Sequence, residues 1–343
     1  MPARAFITGL AGLRLTPDER SFLREAHPWG LILFKRNIES VAQVCDLVSS
    51  FRSEIGNYAP VLIDQEGGRV QRLGPPHWPV YPSGAIYGQL YDQAPEAGLA
   101  TVWLGARLIA ADLSALGIDV DCLPVADIPA QGADRVIGDR AYGETPEKVA
   151  AIAAAAAAGL MAGGVLPVIK HIPGHGRATA DSHERLPVVE VDRNTLEATD
   201  FAPFRALKDL PLAMTAHIVF TAIDPLAPAT TSAAMIGVIR ETIGFDGVLM
   251  SDDIAMGALT GSISARAHAA ITAGCDVVLH CNGRLSEMRA VAEAVPRLSG
   301  EADRRTKAAL AVRRDPEPLD LAAARAAFAD LVAKSTVPTG TLS

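Results

Sequence analysis

A closed (β/α)8 barrel with additional C-terminal helices is the fold predicted by this 343-residue sequence, on three observations. Eight short apolar runs alternate with longer helical patterns from end to end, the mark of repeated βα units. The runs are continuously apolar rather than alternating, as expected for parallel strands covered on both faces. The length also suits a barrel, which takes about 250 residues and more with insertions.

The strands are expected at 5–9, 30–34, 60–64, 119–125, 166–171, 212–217, 247–252 and 276–280. The first helix is expected to start at Thr16-Pro17-Asp18-Glu19, a capping-box pattern with Pro at the first helical position. Thr145-Pro146-Glu147 repeats that start ahead of an Ala-rich segment, and Ala is the best helix former. Further helices are expected at about 41–54, 99–116, 195–208, 232–243, 262–273 and 285–294, with two more at 301–313 and 319–334 outside the barrel. No Pro-, Gly- or Ser-rich linker divides the chain, so residues 1–335 are read as one domain and 336–343 as a frayed tail. An open doubly wound sheet is the rival architecture, but no G-x-G-x-x-G follows the first strand.

Composition narrows the function. A formal net charge of −8 without a basic stripe argues against nucleic acid, whose phosphates need Lys and Arg. Cys45, Cys122, Cys275 and Cys281 are scattered without a C-x-x-C pair, as free thiols in a reducing compartment would be. The N-terminal MPARAFITGLAGLRL reads as a first strand rather than a signal peptide, because two glycines interrupt its apolar run. No uninterrupted apolar stretch approaches the length of a membrane span, so a cytoplasmic location is expected.

Barrel enzymes carry their chemistry at the C-terminal ends of the strands. Here those ends are polar: Asp64-Gln65-Glu66-Gly67-Gly68-Arg69, Asp127, Lys170-His171, His217, Asp252-Asp253 and His280. The densest segment runs from Lys170 through Pro173, Gly174 and Gly176 to Asp181-Ser182-His183, a composition suited to a mobile loop over the mouth. Asp181 and His183 stand two apart, so in an extended segment both side chains would face one side and the carboxylate could orient the imidazole. A turn in which Asp181 satisfies local amides is the alternative. Asp252 ends an apolar strand where its carboxylate would enter the mouth, and Asp253 reads as a cap.

K-H-x-P-G-H-G followed by D-S-H, with the earlier D-Q-E-G-G-R-V-Q-R and the later S-D-D, resembles glycoside hydrolase family 3. More narrowly it is similar to the single-domain bacterial β-N-acetylglucosaminidases of peptidoglycan recycling, over roughly residues 5–290. The resemblance implies retaining hydrolysis of terminal β-linked N-acetylglucosamine from muropeptide fragments. Asp252 would be the nucleophile, His183 the general acid/base and Asp181 its orienting partner. Asp64, Arg72, Arg140, Lys170 and His171 would bind the sugar. It implies no cofactor and no metal, a small carbohydrate substrate and a monomer. Ile172 stands where the family usually has Phe, an apolar exchange. Two alternatives are a metal-dependent barrel hydrolase using the histidines, and β-glucosidase-type specificity within the family.

Overall fold

In a computed structural model, residues 2–56 and 58–335 are described. Eight parallel strands close into a barrel: β1 (Arg4–Thr8), β2 (Pro28–Leu33), β3 (Val61–Ile63), β4 (Val120–Asp121), β5 (Leu166–Ile172), β6 (Leu212–Thr215), β7 (Val248–Asp253) and β8 (Val277–His280). Each pairs with its chain neighbour and β8 returns to β1, with Thr8 opposite His280. All eight expected runs supply a barrel strand. The fourth is shorter than the apolarity suggests, because Pro124 follows Leu123 and cannot donate to the ladder. An isolated bridge between Val125 and Lys170 resumes the pairing.

The helix starts fold as their chemistry dictates, with one exception. Thr16 Oγ1 accepts from the Glu19 amide at 3.1 Å, and Glu19 Oε2 accepts from the Thr16 amide at 2.8 Å. That completes the capping box of helix Pro17–Ala26. Thr145 takes the same position before Pro146–Ala162, but its hydroxyl makes no capping bond.

Other differences have local causes. The helix expected at 195–208 is broken into Arg193–Ala198 and Ala202–Ala206. Pro203 has no amide to continue the ladder, and Asp200 turns inward to accept from Arg177 Nε at 2.7 Å. The segment after Ser232 begins as α-helix Ala233–Gly237 and relaxes into a π-helix, Val238–Ile243, that ends at Gly244. Helix Gly84–Gln93 was hidden by its two glycines, one of which opens it: a Cβ on Gly84 would lie 2.1 Å from the Arg140 carbonyl oxygen.

Helices Gly300–Ala311 and Leu321–Ser335 follow the barrel, the latter packing Phe328 near Tyr81 with ring centroids 6.2 Å apart. Helix Pro95–Ser114 has the length and composition of a membrane span, but it packs against Pro146–Ala162 with more than half of its apolar window buried, as a core helix does. The four cysteines are free; Cys122, Cys275 and Cys281 are buried and Cys45 is half-buried. The tail expected at 336–343 lies outside the described residues.

Candidate active site

The C-terminal mouth of the barrel holds two linked polar groups. The first is a buried ionic cluster. Beyond β3 the chain forms a hairpin, Gln65–Gly67 against Val70–Gln71, tightened by Gln65 Oε1, which accepts from the amides of Arg72 and Leu73 at 3.0 Å. Gly67 permits it: φ is +96°, and a Cβ would meet the Pro82 carbonyl oxygen at 2.2 Å. Asp64 and Glu66 therefore flank Gln65 on the same side. Lys170 Nζ, from the end of β5, lies 2.9 Å from Asp64 and 2.6 Å from Glu66. Arg72 donates to the other Asp64 oxygen at 2.9 Å, and Arg140 grips Glu66 through two 2.8 Å bonds.

Burial disfavours the charges of Asp64, Glu66, Lys170 and Arg140, yet mutual pairing outweighs it. Lys170 and Arg72 hold the Asp64 carboxyl well below its usual range. Arg140 and Lys170 bring Glu66 down to about 2, and the two carboxylates push Lys170 up. Asp64, Glu66, Lys170 and Arg140 are therefore ionised at neutral pH. Arg140 is delivered by a loop that Arg69 straps in place, through Asp139 at 2.9 Å and the carbonyls of Arg135 and Ile137 at 3.0 and 3.2 Å.

The second group surrounds Asp127 and Asp252. Asp127, wholly buried, accepts from the ring of His171 at 2.7 Å and from the amides of His171 and His175 at 3.1 and 2.6 Å. Asp252, at the end of β7, accepts from the Asp253 amide at 2.7 Å. Burial works against its charge, but His217, His171 and that amide outweigh it, with a smaller contribution from His183, and keep the carboxyl below its usual range. His217 is a satisfied buried histidine: Nδ1 is 2.7 Å from Thr230 Oγ1 and Nε2 is 3.0 Å from the Asp253 carbonyl. Asp253 accepts from the amides of Ala255 and Cys281 at 3.0 and 3.2 Å, so it ties β7 to β8 as well as capping the turn. His280 is buried against Glu287, and Tyr142 belongs to the core.

The loop leaving β5 reaches over this mouth. Gly176 sits so close to Ile128 that a Cβ would lie 1.8 Å from its carbonyl oxygen. The Asp181–His183 pair forms, with His183 Nδ1 2.8 Å from Asp181 Oδ1. It forms in a turn rather than the expected extended segment, because the amides of Glu184 and Arg185 bond back to the Asp181 carbonyl. Asp181 also accepts from the His183 amide at 2.9 Å, so orientation of the ring and satisfaction of local amides occur together. The carbonyls of Ser182 and His183 accept from the amides of Ala258 and Gly257, a few residues beyond Asp252.

The residues expected to bind the sugar divide: Asp64, Arg72, Lys170 and Arg140 meet in the ionic cluster, and His171 faces Asp127. Sequence reasoning assigned no role to Glu66, Asp127 or Ser182. The spacing of two between Asp64 and Glu66 was the available signal for the first. A groove of about 470 Å³ opens beside Arg72 and is lined also by Lys35, Gln71, His77 and Trp78.

Residues 7–313 match the glycosyl hydrolase family 3 N-terminal domain. The chain is 41% identical over 279 residues to a beta-hexosaminidase from Alkalilimnicola ehrlichii, covering 80% of this chain and 79% of the relative. A beta-hexosaminidase from Methylococcus capsulatus is also 41% identical, over 80% of this chain and 81% of its own. Among solved structures, NagZ from Neisseria gonorrhoeae in complex with N-trifluoroacetyl-D-glucosamine superposes with a TM-score of 0.87 at 32% identity, covering 97% of this chain and 99% of that one.

Proposed function

The chain belongs to glycosyl hydrolase family 3 and is a glycoside hydrolase; from that premise we propose that it is an exo-β-N-acetylglucosaminidase working by retention on peptidoglycan fragments. In the first step an Asp252 oxygen bonds to the anomeric carbon as the glycosidic C–O bond breaks, and protonated His183 gives its proton to the leaving oxygen. In the second, water bonds to that carbon, the Asp252 carboxylate departs, and neutral His183 takes the water's proton.

One observation carries the reading. The Asp181–His183 pair rides on a turn whose carbonyls are bonded to the backbone just after Asp252. Asp181 occupies Nδ1 and leaves Nε2 for proton transfer. The ionic cluster supplies fixed donors and acceptors for sugar hydroxyls: Asp64, Arg72, Lys170 and Arg140, with His171 held on Asp127. A relative that binds an N-acylated glucosamine supports the amide-bearing sugar. The peptidoglycan origin rests on the D-S-H loop and its resemblance, as does a monomer; one domain over residues 1–335 rests on a sequence with no Pro-, Gly- or Ser-rich linker, and a cytoplasmic location on the lack of a signal-peptide pattern or an apolar span in that sequence.

A metal-dependent hydrolysis has less support. His171 and His217 have ring nitrogens committed to Asp127, Thr230 and Asp253, and among the described residues no three His, Cys, Asp or Glu are grouped to hold an ion. Hydrolysis of p-nitrophenyl N-acetyl-β-glucosaminide against the plain β-glucoside, before and after chelation, tests the proposal. A large preference for the acetamido sugar, unaffected by chelator, is expected. Equal rates would favour β-glucosidase-type specificity, and loss on chelation a metal.

A further inference from the structure

Ser182 stands between the members of the Asp181–His183 pair, yet it alone is buried. It is 1% exposed, whereas the side chains of Asp181 and His183 are 36% and 66% exposed. Its hydroxyl lies 3.0 Å from Nε2 of His175, whose ring is itself buried. The His175 amide in turn donates to the Asp127 carboxylate that holds His171. A continuous set of hydrogen bonds thus runs from a sugar-binding histidine to the middle of the exposed turn.

Proton transfer demands a donor within about 2.6–3.2 Å of its target. Backbone bonds from Gly257 and Ala258 hold the carbonyls of this turn, and the Ser182 hydroxyl is the buried side-chain tie at its centre. We propose that His175 and Ser182 are positioning residues: their hydrogen bond pins the centre of the turn to the barrel, so that His183 stays within reach of the leaving oxygen. This rests on His183 being the acid/base. Burial and the neighbouring His171 bring His175 down to about 4, so its ring is neutral at working pH and does not compete with His183 as a proton donor.

The test is a series of aryl N-acetyl-β-glucosaminides of increasing leaving-group pKa, assayed with wild type, Ser182→Ala, Ser182→Thr, His175→Gln and His183→Ala. Ser182→Ala and His175→Gln are expected to lower kcat/KM by roughly tenfold or more for the poorest leaving groups and far less for the best, steepening the dependence in the direction of His183→Ala. Ser182→Thr, which keeps the hydroxyl, restores the wild-type slope. The same fractional loss across the series, or an unchanged slope in whichever of Ser182→Ala and His175→Gln folds, overturns the pin while leaving His183 intact. A flat His183→Ala series overturns the acid/base assignment instead.

Discussion

One oxygen of Asp181, Oδ1, lies within hydrogen-bond distance of both the ring Nδ1 and the backbone amide of His183, at 2.8 and 2.9 Å. The carboxylate therefore fixes the turn and the ring together. The exposed imidazole is left with one nitrogen directed by a charge and another available for chemistry.

His183→Ala is expected to lower kcat/KM by about 10²–10⁴ for substrates with poor leaving groups, the usual range for general acid–base catalysis. The loss should shrink for activated aryl glycosides, whose leaving oxygen needs no proton. Steady-state rates on the two substrate classes check this, and equal losses would contradict it.

Asp181→Ala should act through the same step while leaving the imidazole in place. A loss of roughly tenfold or more with poor leaving groups is expected, smaller than that of His183→Ala. An Asp181→Ala enzyme with a wild-type rate on poor leaving groups would show that the carboxylate serves the turn alone.

The barrel was legible because its strands are covered on both faces, so apolarity alone marked them. The site was legible where strand ends carry charge, as at Asp64, Lys170 and Asp252. What stayed hidden depends on contacts distant in sequence. Glu66 matters because Arg140, 74 residues away, and Lys170 close on it. Asp127 matters because β5 brings two histidine amides to it. The break in the 195–208 helix had one visible cause, Pro203, and one hidden one, Asp200 turning inward to Arg177. Periodicity carries none of this. Nor does spacing reveal that Asp181 and His183 meet across a turn.

The ionic cluster gives a pH signature in stability. Glu66 is held at about 2 in the folded chain against an ordinary 4.5, so it binds fewer protons folded than unfolded near pH 3. Its contribution, on the order of 3 kcal/mol, is complete above about pH 4.5 and is lost as pH falls toward 2. Thermal melts from pH 6 to pH 3 should fall more steeply for wild type than for Glu66→Gln, which starts less stable. Parallel curves would contradict the assignment.

Thr16→Ala removes one half of the capping box of the helix that follows β1, at a hydroxyl bonded to the Glu19 amide rather than to any residue of the site. It should cost about 1 kcal/mol, a fall in Tm of about 2 °C, with kcat unchanged. Differential scanning calorimetry beside a rate assay checks both parts, and a changed kcat would link this helix to the site.

The covalent intermediate is the centre of the account. Incubation with a fluorinated, slowly released N-acetyl-β-glucosaminide, followed by proteolysis and mass spectrometry, should place the sugar on the peptide carrying Asp252, with no adduct in Asp252→Ala. A sugar found on Asp253, Asp64 or another side chain would contradict it, as would an enzyme that turns the substrate over without ever becoming labelled.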